Sequence, residues 1–190
     1  MDKQVTAVVN RAPVIPLCVQ SWVYDDETRN VWGVSDGAHQ PFVLSAPVLK
    51  QVHPFVLLLL SAMLDKKWTP VAAQVPVMHE ECGIASAADV LCTDANGNWI
   101  LVEVKCKRKE RFNDVSPYPM HGPFEHVPNT PCNRDKVQAA FTRSMLVRTC
   151  PVTEGCAAVV ARVHRDGVEF FDVEESFSGM VDALWKSMGG

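Results

Sequence analysis

SAADVLCTDANGNWILVEVKCKRK, residues 86–109, is the stretch from which the fold can be read. Two apolar runs flank a turn signal, the pattern of a β-hairpin. The second run carries Glu103 and Lys105 two residues apart. Side chains at i and i+2 of a strand share a face, so these two point together, while Val102 and Val104 point into apolar packing on the other side. Whether Asp89 joins them depends on the turn. A two-residue loop at Asn96 and Gly97 pairs Asp89 with Val104 and puts it on the wrong face. A three-residue loop of Ala95, Asn96 and Gly97 is a type I turn with Gly97 in the left-handed bulge position. It pairs Asp94 with Asn98, and therefore Asp89 with Glu103. The second register is the expected one. It brings the two carboxylates' Cβ atoms to about 4.5–5.5 Å, where the charges repel unless a cation lies between them.

Two carboxylates on adjacent strands make a hard-oxygen site suited to Mg²⁺ or Mn²⁺, with water in the remaining positions. Such an ion polarises a phosphoryl oxygen and lowers the pKa of bound water. Lys105 can orient or activate that water, or offset charge developing on a phosphate. Phosphodiester hydrolysis uses these parts together. The plainer alternative is a solvated hairpin face with a cross-strand ion pair, worth a fraction of a kcal/mol. Charges inside an otherwise apolar strand weigh against it, because burying them unpaired is costly.

Outward from the hairpin, TPVAAQVPVMHEE reads as a strand, placed at an edge or irregularity by Pro76. Before it, SAPVLKQVHPFVLLLLSAMLDKK reads as a helix capped by Ser45, with Pro47 in its first turn and Pro54 marking a kink or a later start. CVQSWVYDD and RNVWGVSDG read as a strand pair within a β-rich extension at 1–45. After the hairpin come a Pro- and His-rich loop, a helix over NRDKVQAAFTRSMLVRT capped by Asn133, a hairpin from CAAVVARVHRDG to VEFFDVEE, and a closing helix at SFSGMVDALWKSM. The expected fold class is α/β, a mixed β-sheet flanked by helices. The whole of 1–190 is expected to be one domain, with its core at 46–190.

Bulk properties narrow the setting. The net charge of −4 means that any nucleic-acid contact must come from a local basic patch. KCKRKER, running on from the strand, supplies one: Lys107, Arg108 and Lys109, extended by Arg134 and Lys136. The odd count of seven cysteines, without a CxxC pair, suggests reduced thiols in an intracellular protein. MDKQVTAVVNRAP lacks a signal peptide's apolar stretch, and the longest apolar run, FVLLLLSAML, is too short to span a bilayer, so no membrane association is expected. His121, His126 and Cys132 are too irregularly spaced for zinc, and Cys132, Cys150 and Cys156 too few for an iron–sulfur cluster. Trp99 shares Glu103's face by parity and Cys106 shares Val104's.

Asp89 followed by Glu103-Val104-Lys105 resembles the motif of the PD-(D/E)xK nucleases. SAADVL, DANGN and EVKC look closest to the phage lambda exonuclease and RecB-like branch, and DKVQAAF supplies the glutamine that follows on a helix there. The resemblance covers roughly residue 69 onward. It implies a restriction-endonuclease-like αβββαβ core, with Asp89 and Glu103 as metal ligands, the Val104 carbonyl as a further ligand, Lys105 as the catalytic lysine, and Gln138 contacting substrate or bracing the site. It departs from the pattern in three places. Ala88 stands where proline is usual, and Thr142, beside Phe141, stands at the tyrosine position. No glutamate lies in 47–64, for which Glu80, Glu81 or His79 are the substitutes at hand. The activity implied is that of a Mg²⁺- or Mn²⁺-dependent deoxyribonuclease, an exonuclease of recombination, repair or viral DNA processing. The alternatives are an inactive interaction module of the same fold within a larger assembly, or an RNA-directed or structure-specific endonuclease. Lambda-type rings make a homo-oligomer one expectation, and the N-terminal extension offers a surface for a protein partner.

Overall fold

The computed structural model describes residues 19–25, 30–35, 53–106 and 112–189. Strands β1 (Val19–Asp25) and β2 (Asn30–Ser35) pair antiparallel in a two-stranded sheet, as expected of that part of the extension. Helix α1 (Pro54–Asp65) is followed by β3 (Thr69–His79), β4 (Ile84–Thr93) and β5 (Trp99–Lys105). Then come α2 (Pro131–Thr149), β6 (Ala157–His164), β7 (Gly167–Asp172) and α3 (Glu175–Ser187). The main sheet has five strands in chain order, β3 to β7. All neighbours are antiparallel except β5 and β6, which run parallel because α2 carries the chain back between them. The chain is therefore α/β, a mixed five-stranded sheet flanked by helices.

Each face of the sheet has its own core. Under α1, Val56, Leu59 and Met63 project from one helical stripe onto Val90, Cys92, Ile100, Val102 and Val104. On the other face Leu101 and Val160 pack with Ala139, Ala140 and Leu146 of α2 and with Phe177, Val181 and Trp185 of α3. Glu103 and Lys105 lie on this second face, beyond Leu101, so the strand has no wholly polar face. Its second face is apolar at one end and charged at the other. β3 is an edge strand, which is where Pro70 and Pro76 can sit without breaking a ladder on both sides.

Local chemistry sets the boundaries. The β4–β5 turn takes the three-residue form: Asp94 N–H donates to the Asn98 carbonyl, Asp94 Oδ1 accepts from the N–H groups of Asn96 and Asn98, and Gly97 has φ +83°. α1 starts at Pro54, with the His53 side chain accepting the Phe55 N–H at 3.2 Å. Of the two readings of Pro54, the later start holds; Ser45 and Pro47 lie outside the described residues. The cap of α2 is Thr130, whose hydroxyl accepts the Asn133 N–H at 3.1 Å, and not Asn133 itself. Pro131 at the first helical position extends the helix two residues before the expected start. Among the described residues no helix is long and apolar enough to cross a membrane.

Candidate functional site

The charged end of β5 is where β3, β4 and α2 converge. The β4–β5 ladder pairs Thr93 with Trp99 through Val90 with Val102. One further step of that register sets Asp89 opposite Glu103, as the turn chemistry predicts. Asp89 leaves the regular ladder there: its Oδ2 accepts the Val104 N–H at 2.9 Å, and its Oδ1 accepts from Gln74 Nε2 at 3.2 Å. The carboxylate is thus aimed from both sides.

Glu103 is buried, with 1% of its surface exposed. Its Oε1 accepts from Lys105 Nζ at 2.7 Å and from Gln138 Nε2 at 2.7 Å. Lys105 Nζ also donates to Gln138 Oε1 at 2.9 Å, closing a ring of three side chains. Glu103 Oε2 is buried with no hydrogen-bond partner among the described residues. Burial, and then the charge of Asp89, push the Glu103 carboxyl up to about 7 against the pull of Lys105. Burial acts to lower the Lys105 pKa, but its bond to Glu103 and the charges of Glu103, Asp135 and Asp89 outweigh that and raise it. Lys105 is therefore an ammonium at neutral pH, suited to stabilising negative charge and not to taking a proton.

Three features of this site were not foreseen from the sequence, the first being the Gln74 amide on Asp89. Asp135 is buried on the second turn of α2, and its charge acts on both Glu103 and Lys105. It precedes Gln138 by three residues, the helical spacing that places both on one side, and that spacing in DKVQ was the available signal. Arg162 of β6 is the register partner of Lys105. It is buried, ion-paired to Glu169, and lies 4.3 Å from the Phe112 ring centroid.

The remaining candidates divide. Gln138 is in the ring. Arg134 is exposed one turn before Gln138 and donates to Asn129 Oδ1 at 2.8 Å. Lys107, Arg108 and Lys109 lie outside the described residues. Lys136 is not part of a basic track: it pairs with Glu174 at the start of α3. His79, Glu80 and Glu81 do not reach the carboxylates. They sit at the far end of the β3–β4 hairpin, five or more residues past Gln74, roughly 17 Å along the strand. There His79 is buried against Trp185, and Glu81 lies 3.9 Å from Arg148. Trp99 packs in the α2-side core and not over the site. Cys106 is exposed, because β5 ends at Lys105 and the core alternation ends with it. Phe141 packs edge-to-face on Trp185, and Thr142 Oγ1 donates to the Gln138 carbonyl, so neither supplies the phenol of the RecB-like pattern. His121 and His126 are exposed while Cys132 is buried.

Among the described residues no group of three or more His, Cys, Asp or Glu side chains is arranged to hold a metal ion. The donors that do fit a hard cation are fewer. They are the Asp89 carboxylate and the Glu103 Oε2, which has no hydrogen-bond partner among the described residues. A cation there would offset the repulsion that raises the Glu103 pKa. No family model matches the chain, and no curated protein matches it.

Proposed function

We propose that the chain is a metal-dependent deoxyribonuclease of the PD-(D/E)xK type that hydrolyses phosphodiester bonds, most simply from a DNA end. One observation carries the reading: an aimed aspartate stands across from a buried glutamate that has an unbonded oxygen, and a lysine ammonium stands on the same face. The order α1, β3, β4, β5, α2, β6, with β5 and β6 parallel, agrees with the αβββαβ core which that family would require.

Asp89, Glu103 and the Val104 carbonyl would hold Mg²⁺ or Mn²⁺. When bound, the ion polarises a phosphoryl oxygen and makes water a nucleophile at neutral pH. The chain's own groups do the rest. Lys105 presents a fixed positive charge to the phosphate and stabilises the charge that grows on its oxygens. Gln138 holds the Lys105 and Glu103 head groups in one orientation. Arg134, one turn away and exposed, offers a phosphate contact, and the basic run 107–109 follows β5 in the sequence. With an overall charge of −4, binding depends on that local cluster and weakens steeply with salt.

Closed-circular and linear forms of one plasmid, each incubated with Mn²⁺ or with EDTA, test the reading. The expected outcome is Mn²⁺-dependent loss of linear DNA with circles intact. Cutting of circles would make the chain an endonuclease. Intact DNA in every lane, with RNA and single strands also intact, would overturn the proposal.

A further inference from the structure

Gln74 is a non-glycine residue with φ +55° inside a strand. Such a conformation crowds Cβ against the carbonyl, and glycine alone adopts it without strain. The backbone has a use for it. Residues 73, 75 and 77 would share one face in a regular strand. Here Ala73 packs under α1, whereas Val75 and Val77 pack with the core of α2 and α3. The inversion falls at Gln74. β4 inverts at the same level: Val90 packs under α1 and Ala88 with the other core. Ala73 pairs with Val90 and Val75 with Ala88, so Gln74 faces Asp89 across the irregularity.

Glycine would serve the inversion with less strain. Glutamine adds a side-chain amide, and that amide donates to Asp89 Oδ1 at 3.2 Å. From this juxtaposition we infer that Gln74 is a positioning residue for the cation site: its strained backbone turns the amide onto Asp89 and leaves the carboxylate aimed toward Glu103. The inference rests on the proposed metal-dependent site. It extends that site to the edge strand β3, which carries none of the motif residues.

Two variants separate aiming from folding. Gln74→Gly removes the amide and relieves the backbone, whereas Gln74→Ala removes the amide and keeps the strain. Calorimetric titration of Mn²⁺ into each folded variant, with thermal melts in EDTA, gives two independent readouts. The expected result is that both variants bind Mn²⁺ roughly tenfold more weakly than the wild type, the size of effect usual for a group that orients a ligand. Their melting temperatures should nonetheless diverge, with Gln74→Gly the higher. Mn²⁺ affinity that equals the wild type's, or that follows the melting temperature from variant to variant, would overturn the inference while leaving the site reading in place. A wild-type chain that binds no Mn²⁺ would overturn both.

Discussion

Glu103 is a buried carboxyl under electrostatic load. Its carboxyl titrates at about 7, above the 4.5 of an unstrained glutamate, because it is buried and faces Asp89. A group whose folded pKa is raised favours the folded state fully below the unfolded value and loses that advantage as pH rises to the folded one. Without metal, the wild type should therefore lose stability between about pH 4.5 and 7. Glu103→Gln, which cannot ionise, should melt near the wild type at pH 4.5 and should be more stable at pH 8 by about 1–3 kcal/mol. Denaturant melts in EDTA at the two pH values check this. Equal stability of the two chains at pH 8 would show that Glu103 is not under strain. The same variant should bind no Mn²⁺, so stability and ligation should move in opposite directions. Asp89, Glu103 and Lys105 were legible in the sequence because turn type and strand parity determine a face, and Gln138 entered only through the family resemblance. Asp135 and Gln74 were not. One depends on which side of α2 meets the sheet, and the other on a backbone dihedral that no side-chain pattern reveals.

At the level of elements, the β4–β5 turn and the start of α2 hold the site's parts in register. The three-residue turn was readable from DANGN because each residue has a stated job: Asp94 accepts the turn N–H groups and Gly97 takes the left-handed position. Gly97→Ala should cost about 1 kcal/mol from the strained φ, with nothing nearby for the added Cβ to meet. The start of α2 was misread because Asn133 is a good capping residue in sequence, while the Thr130-Pro131 pair one turn earlier supplies both a hydroxyl acceptor and a proline without an N–H to satisfy. Thr130→Ala should therefore destabilise by about 1 kcal/mol. Asn133→Ala should cost less, since it removes only a side-chain bond to the Pro128 carbonyl. A melt series ranking these two variants in the reverse order would restore Asn133 as the cap. The face inversion across Gln74 and Asp89 was out of reach of parity counting, which assumes regular alternation along both strands.

For the whole molecule, the order of strands and helices was legible because apolar runs alternate with turn and cap signals, and β5 and β6, buried along most of their length, lie inside the sheet. Two cores follow, and they are not equivalent for function. Leu59 is fully buried under α1, on the face away from the carboxylates. Leu59→Ala should cost about 2–5 kcal/mol of stability yet leave Mn²⁺ affinity unchanged in the fraction that remains folded at low temperature. The charged end of the other face should behave in the opposite way. Lys105→Ala tests the central claim most directly, in release of acid-soluble label from linear double-stranded DNA with Mn²⁺. The account predicts Mn²⁺-dependent release by the wild type and a loss of at least about a hundredfold in the variant, with the variant still folded and still binding DNA. Undiminished release by folded Lys105→Ala would contradict it and would place the chemistry elsewhere in the chain.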